Sequence, residues 1–133
     1  MRKIEHIGIA VKDLKRSNQL FELIFNSSHY KTEKVETEGV TTSFFRFGDV
    51  KVELLEPSRK DSSIDKFLNK KGEGLHHIAF KVDNLKDTMN RLQQAGFSFT
   101  SNKISKGADN KLICFLHPKE TNGVLIELCQ EIL

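Results

Sequence analysis

The sequence repeats itself once, and this internal repeat limits the possible folds more than any other feature. IEHIGIAVKDL near the N-terminus resembles LHHIAFKVDNL, and the match aligns His6 with His77. KVELLEP resembles LIELCQE, and this match aligns Glu53 with Glu127. Because both matches occur in the same order and at nearly the same offset, the sequence indicates two copies of one structural module.

The pattern of apolar residues in each copy predicts the element order β-α-β-β-β. Alternating or β-branched apolar segments favour strands, and apolar residues spaced three and four apart favour helices. We expect strands at 3–11, 42–48, 50–56, 76–82, 97–100, 111–117 and 123–129. We expect helices at 14–25, 62–70 and 84–95. Ser62 or Ser63 is the expected cap of the second helix.

The chain length bounds the domain organisation. A chain of 133 residues can bury one sizeable core and is short for two ordinary domains. We therefore predict a single domain, with module one at about 3–57, a connecting helix at about 62–70 and module two at about 75–130.

The composition is typical of a globular protein, with 38% hydrophobic and 29% charged residues. The net charge is +3 and the lysines are scattered, which argues against nucleic-acid binding and suits an anionic substrate. Cys114 and Cys129 lie in apolar stretches without a CxxC pair, which predicts buried, reduced thiols. Apolar runs are too short to cross a bilayer and no targeting segment precedes the first strand, so we expect a cytoplasmic protein that does not bind membranes.

The two aligned histidines are predicted to share their strand faces with small residues. Side chains alternate across a strand, so His6 lies on one face with Gly8, and His77 lies on the equivalent face with Ala79. The adjacent His76 then belongs to the opposite face, which the helices cover. This pattern predicts open space beside His6 and His77.

Two carboxylates follow the same pattern, because Glu53 and Glu127 each lie on the face opposite to their apolar neighbours. A lone strand histidine or glutamate usually lies on a solvated face, but four such positions related by one repeat point to a metal site. Nitrogen and oxygen ligands without a thiolate suit Co²⁺, Mn²⁺, Ni²⁺, Fe²⁺ or Zn²⁺. Such a site supports proton removal next to a carbonyl group, with the carboxylates as bases.

The segments HIGIAVKDL, VELLEP, KGEGLHHIAF and FLHPKETNGVLIELC resemble the methylmalonyl-CoA epimerase family, within the vicinal oxygen chelate superfamily. The resemblance implies a cupped eight-stranded mixed sheet with helices on its outer face, a homodimer, and methylmalonyl-CoA as substrate. It implies a divalent metal ion, most often Co²⁺ with Mn²⁺, Ni²⁺ or Zn²⁺ as alternatives, and epimerisation at C2 through a metal-stabilised enolate. The family's metal positions fall on His6, Glu53, His77 and Glu127, and its base falls on Glu127.

The identity of a second base stays open. Some family members carry a glutamate shortly after a Gly-Val pair, whereas here Gly39-Val40 is followed by Thr41, Thr42 and Ser43. Glu53, a metal-bound water or a loop residue can take this role, and we count Glu53 with Glu127 as the catalytic candidates.

The segment ISKGADNKLICFLHPK resembles the glycine-bearing loop of the family that lies near the substrate. Its backbone amides and basic residues are candidates for contacts with CoA phosphates or the substrate carboxylate. The candidate substrate-binding residues are Lys106, Gly107, Lys111, His117 and Lys119. Two other functions fit the same fold: a lactoylglutathione lyase (glyoxalase I)-like isomerase, and a non-catalytic protein that binds a small molecule.

Overall fold

The computed structural model describes residues 1–101 and 103–133. Its strands, β1 to β8 in chain order, are Lys3–Ala10, Lys31–Val35, Val40–Phe47, Val50–Pro57, Gly74–Lys81, Ser105–Gly107, Lys111–Phe115 and Ile126–Glu131. Its helices, α1 to α3, are Leu14–Phe25, Ser63–Lys71 and Leu85–Gln94, and a short 3₁₀ helix spans Pro118–Glu120.

The strands form one mixed sheet in the order β2-β3-β4-β1-β5-β8-β7-β6. This confirms the predicted α+β class and the eight-stranded mixed sheet. Each repeat contributes the same local pattern: the first strand of the repeat runs parallel to its last strand, and the remaining neighbours are antiparallel. No helix within the described residues is long and apolar enough to cross a membrane.

The chain divides into two compact units, and the first of them is His6–His76. Here β2, β3 and β4 form an antiparallel ladder, and β4 pairs in parallel with β1. Helix α1 covers one face of these strands, where Leu14 packs with Phe45 and Leu54. These three side chains are at most 7% exposed, and burying each contributes about 1.5–3 kcal/mol.

The second unit combines Met1–Glu5 with His77–Leu133. Its strand β5 runs parallel to β8, and β8 is followed by the antiparallel neighbours β7 and β6. Helix α3 lies on one face of these strands and supplies three side chains to an apolar cluster. This cluster contains Val82, Leu85, Met89, Leu92, Phe99, Cys114, Leu116 and Leu128.

The helices begin where the sequence supplies capping groups. Helix α1 begins after Asp13, whose carboxylate accepts a hydrogen bond from the Arg16 N–H. Helix α2 begins after Ser62, whose hydroxyl accepts from the Asp65 N–H, and this selects Ser62 from the two serines that the sequence offered. Such caps satisfy backbone donors that have no partner inside the helix.

The predicted strand at 97–100 is wrong. Within that segment only Phe99 forms an isolated bridge, to Leu116, and the edge strand of this unit is β6 at Ser105–Gly107. Pairing there is limited to two backbone hydrogen bonds, from the Thr100 N–H to the Phe115 carbonyl and from the His117 N–H to the Ser98 carbonyl, while Phe97 and Phe99 pack in the α3 cluster.

Strand β2 has no counterpart among the predicted strands, because its sequence KTEKV lacks the apolar alternation that identifies a strand. It is an edge strand rich in charges, which is a common property of sheet edges. The other predicted elements differ from the observed bounds by up to three residues.

Candidate active site

The first His–Glu pair lies in the unit His6–His76. Strand β1 pairs in parallel with β4 so that Gly8 lies directly across from Glu53. Because Gly8 has no side chain, the Glu53 carboxylate has room to reach the imidazole of His6, two residues earlier on β1. The His6 Nδ1 and Glu53 Oε2 atoms are 3.1 Å apart, and both side chains are buried.

The second pair lies in the other unit and repeats this arrangement. Strand β5 pairs in parallel with β8, and the small residue Ala79 lies across from Glu127. The His77 Nε2 and Glu127 Oε1 atoms are 3.3 Å apart, and both side chains are buried. The His77 ring packs edge-on against Phe115, with ring centroids 5.8 Å apart. In both pairs, a small residue two positions after the histidine lies across from the glutamate: Gly8 lies across from Glu53, and Ala79 lies across from Glu127.

His76 lies in a different environment from its neighbour His77. Its ring packs edge-on against Phe67 of helix α2, with centroids 4.9 Å apart and an interplanar angle of 88°. His76 is half-buried, whereas His77 is 6% exposed. The alternation of the strand thus separates a histidine in contact with a helix from one in contact with a carboxylate.

Each pair presents one imidazole nitrogen and one carboxylate from a buried position, which is a suitable donor set for a divalent metal ion. A buried carboxylate is costly unless it is paired, so these side chains need either each other or a cation. One pair alone supplies two ligands, fewer than the three protein ligands typical of a catalytic zinc site.

Both cysteines of the second unit are buried. Burial raises the pKa of the Cys114 thiol to about 12, and the negative charge of Glu127 contributes to this increase. Cys129 is completely buried and its S–H donates to the Phe80 carbonyl oxygen at 3.5 Å. Both cysteines are free, in agreement with the expected buried, reduced thiols.

Of the predicted substrate-binding residues, Lys111 and Gly107 have structural roles within their unit. The Lys111 ammonium is buried and lies 3.8 Å from carboxylate oxygens of both Asp109 and Glu131. Gly107 pairs with Lys111 across β6 and β7, and a Cβ atom there would lie 2.8 Å from the Ile113 side chain. A larger residue at position 107 would therefore require the Ile113 side chain to move.

The other three candidates lie in two different segments. Lys106 is on β6, where it pairs with Leu112. His117 precedes the 3₁₀ helix, and its Nδ1 atom accepts a 3.5 Å hydrogen bond from the backbone N–H of Lys119. These residues remain predicted rather than established contacts of the substrate.

The hydroxyls after the Gly-Val pair are buried. Thr42 and Ser43 are fully buried, and within the described residues neither hydroxyl oxygen has a hydrogen-bond partner. Thr42 lies across from Leu55, and Leu55 shares its strand face with Glu53, so Thr42 belongs to the face of the first His–Glu pair. No carboxylate lies in the segment 41–43.

Lys51 is a buried charge that the sequence interpretation missed. It is 6% exposed, lies across from His6 on the parallel strand pair, and precedes Glu53 by two residues on the same face. The tripeptide KVE at 51–53 predicts this placement. Residues two apart in a strand share a face, so the lysine lies on the same face as the predicted ligand Glu53.

Comparison with known proteins identifies the family. Residues 5–115 match the model of the Glyoxalase/Bleomycin resistance protein/Dioxygenase superfamily. The chain is 41% identical to uncharacterized protein YqjC of Bacillus subtilis (strain 168), over 98% of this chain and 93% of that protein. It is 36% identical to the mitochondrial methylmalonyl-CoA epimerase of Homo sapiens, over 96% of this chain and 73% of that protein.

The fold is shared with a solved structure of that enzyme. A variant of the Streptomyces coelicolor methylmalonyl-CoA epimerase, in complex with 2-nitronate-propionyl-CoA, superposes with a TM-score of 0.94. The two chains are 32% identical, and the match covers 100% of this chain and 99% of the other. With the repeated His–Glu pairs, these matches show that the chain belongs to the glyoxalase/bleomycin resistance protein/dioxygenase superfamily and, within it, to the methylmalonyl-CoA epimerase family.

Proposed function

We propose that this protein is a metal-dependent epimerase that interconverts (R)- and (S)-methylmalonyl-CoA. The observation that carries the proposal is the presence of two buried His–Glu pairs, at equivalent positions of the repeat, in a chain of the methylmalonyl-CoA epimerase family. The carboxylates supply the proton-transfer groups that epimerisation requires, and the imidazoles supply neutral metal ligands.

We propose that His6, Glu53, His77 and Glu127 together hold one divalent ion. Two imidazoles and two carboxylates would bring the site close to neutrality and leave positions for substrate on an octahedral ion. Co²⁺ is the expected metal, with Mn²⁺, Ni²⁺ or Zn²⁺ as alternatives. When bound, the ion polarises carbonyl-type oxygens and stabilises the negative charge that develops on them during proton removal.

In the proposed reaction Glu127 accepts the C2 proton. Glu127 is 5% exposed, and its neighbours across β5 and β8 include the small side chain of Ala79. Low exposure limits access of water, which would otherwise compete for the proton. Glu53, at the equivalent position of the other repeat, is the proposed donor: in its protonated form it would return a proton to the opposite face of C2 and become a carboxylate, while Glu127 holds the proton that was removed.

The proposal is tested by proton NMR of methylmalonyl-CoA in D₂O with metal-loaded protein. We expect the C2 proton signal to disappear at a rate proportional to enzyme concentration. Retention of the C2 hydrogen at the level seen in buffer alone would remove the epimerase assignment. The hemithioacetal of glutathione and methylglyoxal is a matched second substrate, and turnover of it alone would indicate a glyoxalase I-like isomerase instead.

Elemental analysis of untagged protein separates an enzyme from a binding protein. We expect about one equivalent of a divalent metal per chain, and loss of activity after chelation that Co²⁺ restores. Protein that binds CoA thioesters without metal, and stays inactive when metal is added, would instead be a non-catalytic member of the fold. The predicted homodimer and its cytoplasmic location are separate proposals, tested by light scattering and by cell fractionation.

A further inference from the structure

Helix α1 presents a stripe of apolar side chains to solvent. Leu20, Leu23 and Ile24 are 54%, 83% and 63% exposed. Because they are spaced three and four residues apart, they lie next to each other on the helix, outside the side where Leu14 packs into the core. Single exposed leucines are common on protein surfaces, but adjacent ones on one helix side indicate an interaction surface.

The equivalent helix of the second repeat has no such stripe. The offset that aligns His6 with His77 places Arg91 at the position of Leu20 and Gln94 at the position of Leu23. The folding of the module therefore does not require apolar residues at these positions. The exposed residues of α3 are all polar, namely Lys86, Asp87, Asn90, Arg91, Gln93 and Gln94.

The charges near the ends of α1 also differ from those of the other two helices. Helices α2 and α3 each have an acidic residue in the first turn and a basic residue in the last turn, which complements the helix dipole. Helix α1 has neither. Its first turn contains Arg16, four residues before Leu20 and therefore at one end of the apolar stripe. The negative C-terminal end of α1 thus lacks the cation that α2 and α3 supply from their own sequence.

We propose that Arg16, Leu20, Leu23 and Ile24, here called the α1 surface, form the contact between two copies of this chain. This inference rests on the homodimer of the proposed function and names its interface. A two-fold axis, the commonest symmetry of homodimers, would set the two α1 helices antiparallel. Leu20 of each copy would then pack against Leu23 of the other. Arg16 of each copy would lie beside the C-terminal end of the other α1, where a positive charge is favourable.

The test is the mass of the full-length protein in solution, measured by sedimentation equilibrium over a range of concentrations. We expect Leu23→Asp to raise the dissociation constant of the dimer by at least about 100-fold, because a symmetric interface contains each substitution twice. Leu75→Asp is the matched control, since Leu75 is a leucine of the same unit that is 69% exposed and lies outside α1, and it should remain a dimer. Arg16→Gln should raise the dissociation constant by about 3- to 30-fold at low salt and less at high salt.

Four outcomes would overturn the assignment. A wild type that is monomeric at every concentration would remove both the dimer and its interface. A dimer that Leu23→Asp leaves intact, or that Leu75→Asp dissociates equally, would remove the α1 surface alone. A monomer that co-sediments with phosphatidylglycerol vesicles, and loses this binding in Leu23→Asp, would assign the surface to a membrane instead.

Circular dichroism checks that each variant is folded, and Leu23→Gln replaces Leu23→Asp if the latter is not. Because the measurement is of mass and not of turnover, failure of this inference is distinguishable from failure of the epimerase proposal, which the exchange experiment tests by itself.

Discussion

The two repeats share their backbone frame and differ in what surrounds it. In the first repeat the Leu14 N–H at the start of α1 donates to Glu56, and in the second the Leu85 N–H at the start of α3 donates to Gln130, both at 2.7 Å. Equivalent backbone bonds also recur just before each helix. Duplication has therefore preserved the joint between the last strand and the helix, together with the His–Glu pair beside it.

The differences lie on the face of the His–Glu pairs. In the first repeat, the residue two positions after Glu53 is Leu55, and Thr42 lies across from it. In the second repeat, the residue two positions after Glu127 is Cys129, and Ile113 lies across from it. An apolar side chain thus replaces the buried hydroxyl, just as Leu125 stands in the place of the charged Lys51. Charge occurs on this face in both repeats, because Lys111 and Glu131 lie on the same strand face as Glu127. The two copies thus keep the His–Glu pair while the side chains beside it differ.

The largest expected effect is a difference in turnover between variants of Glu127 and Glu53. Glu127→Gln removes the proposed base and should reduce turnover by about 10²- to 10⁴-fold. Glu53→Gln leaves Glu127 able to remove the C2 proton, so exchange of that proton should fall less, although a glutamine cannot return a proton to the opposite face. Exchange of the C2 proton in D₂O measures both variants, and metal content is determined for each as the control. If Glu53→Gln loses more turnover than Glu127→Gln at equal metal content, the assignment of the base is reversed.

The next comparison sets two adjacent histidines against each other. His77→Ala removes a proposed ligand and should weaken metal binding by at least about 100-fold. His76→Ala removes the ring contact with Phe67, about 0.5–1.5 kcal/mol, and should lower thermal stability while metal binding is retained. Metal titration and thermal denaturation are measured on both variants. Equal metal loss would show that the two side chains are not separated as described.

A smaller effect tests whether the two strand–helix joints are equivalent. Glu56→Ala and Gln130→Ala each remove the acceptor for one helix N-terminal N–H and should each cost about 1 kcal/mol in urea denaturation. Glu56 also carries a negative charge at the positive end of α1. At low salt Glu56→Ala should therefore lose more free energy of unfolding than Gln130→Ala, and this difference between the two variants should disappear at high salt. Glu56→Gln isolates the charge, and a gap that is independent of salt would contradict this explanation.

The smallest expected effect is confined to the first repeat and depends on pH. Hydrogen bonds from the side chain and then the backbone N–H of His29 lower the pKa of Glu22. Because the pKa of Glu22 is lowered, its hydrogen bonds with His29 stabilise the folded state when the pH is above the ordinary glutamate pKa. This stabilisation disappears as the pH falls through the pKa of Glu22 in the folded state.

Glu22→Gln should therefore be less stable than the wild type at pH 7 and similar to it at strongly acidic pH, as measured by urea midpoints. Glu36→Gln, at an exposed carboxylate, is the control. The equivalent of Glu22 in the second repeat is Gln93, so no such dependence is expected there. A stability difference that stays constant across the pH range would assign the loss to packing rather than to charge.

Much of the candidate site could be predicted from the sequence because it depends on local rules. Alternation along a strand assigned His77 and His76 to opposite faces, and the repeat aligned Glu53 with Glu127. The structure gives each of these residues the environment described above, with His77 against Glu127 and His76 against Phe67. The joint use of all four proposed ligands by one ion stays a prediction.

What the sequence by itself determined was the duplication, the α+β class and the face of each strand, since these depend on side-chain alternation and on the offset between two copies. Tertiary structure alone decided which segments became ladders: pairing at Phe99 stops at one bridge, and Ser105–Gly107 became the edge strand. It also decided that Lys51 is buried across from Arg46. The physical reason is that strand neighbours and burial depend on residues far apart in the chain, and no local pattern records them.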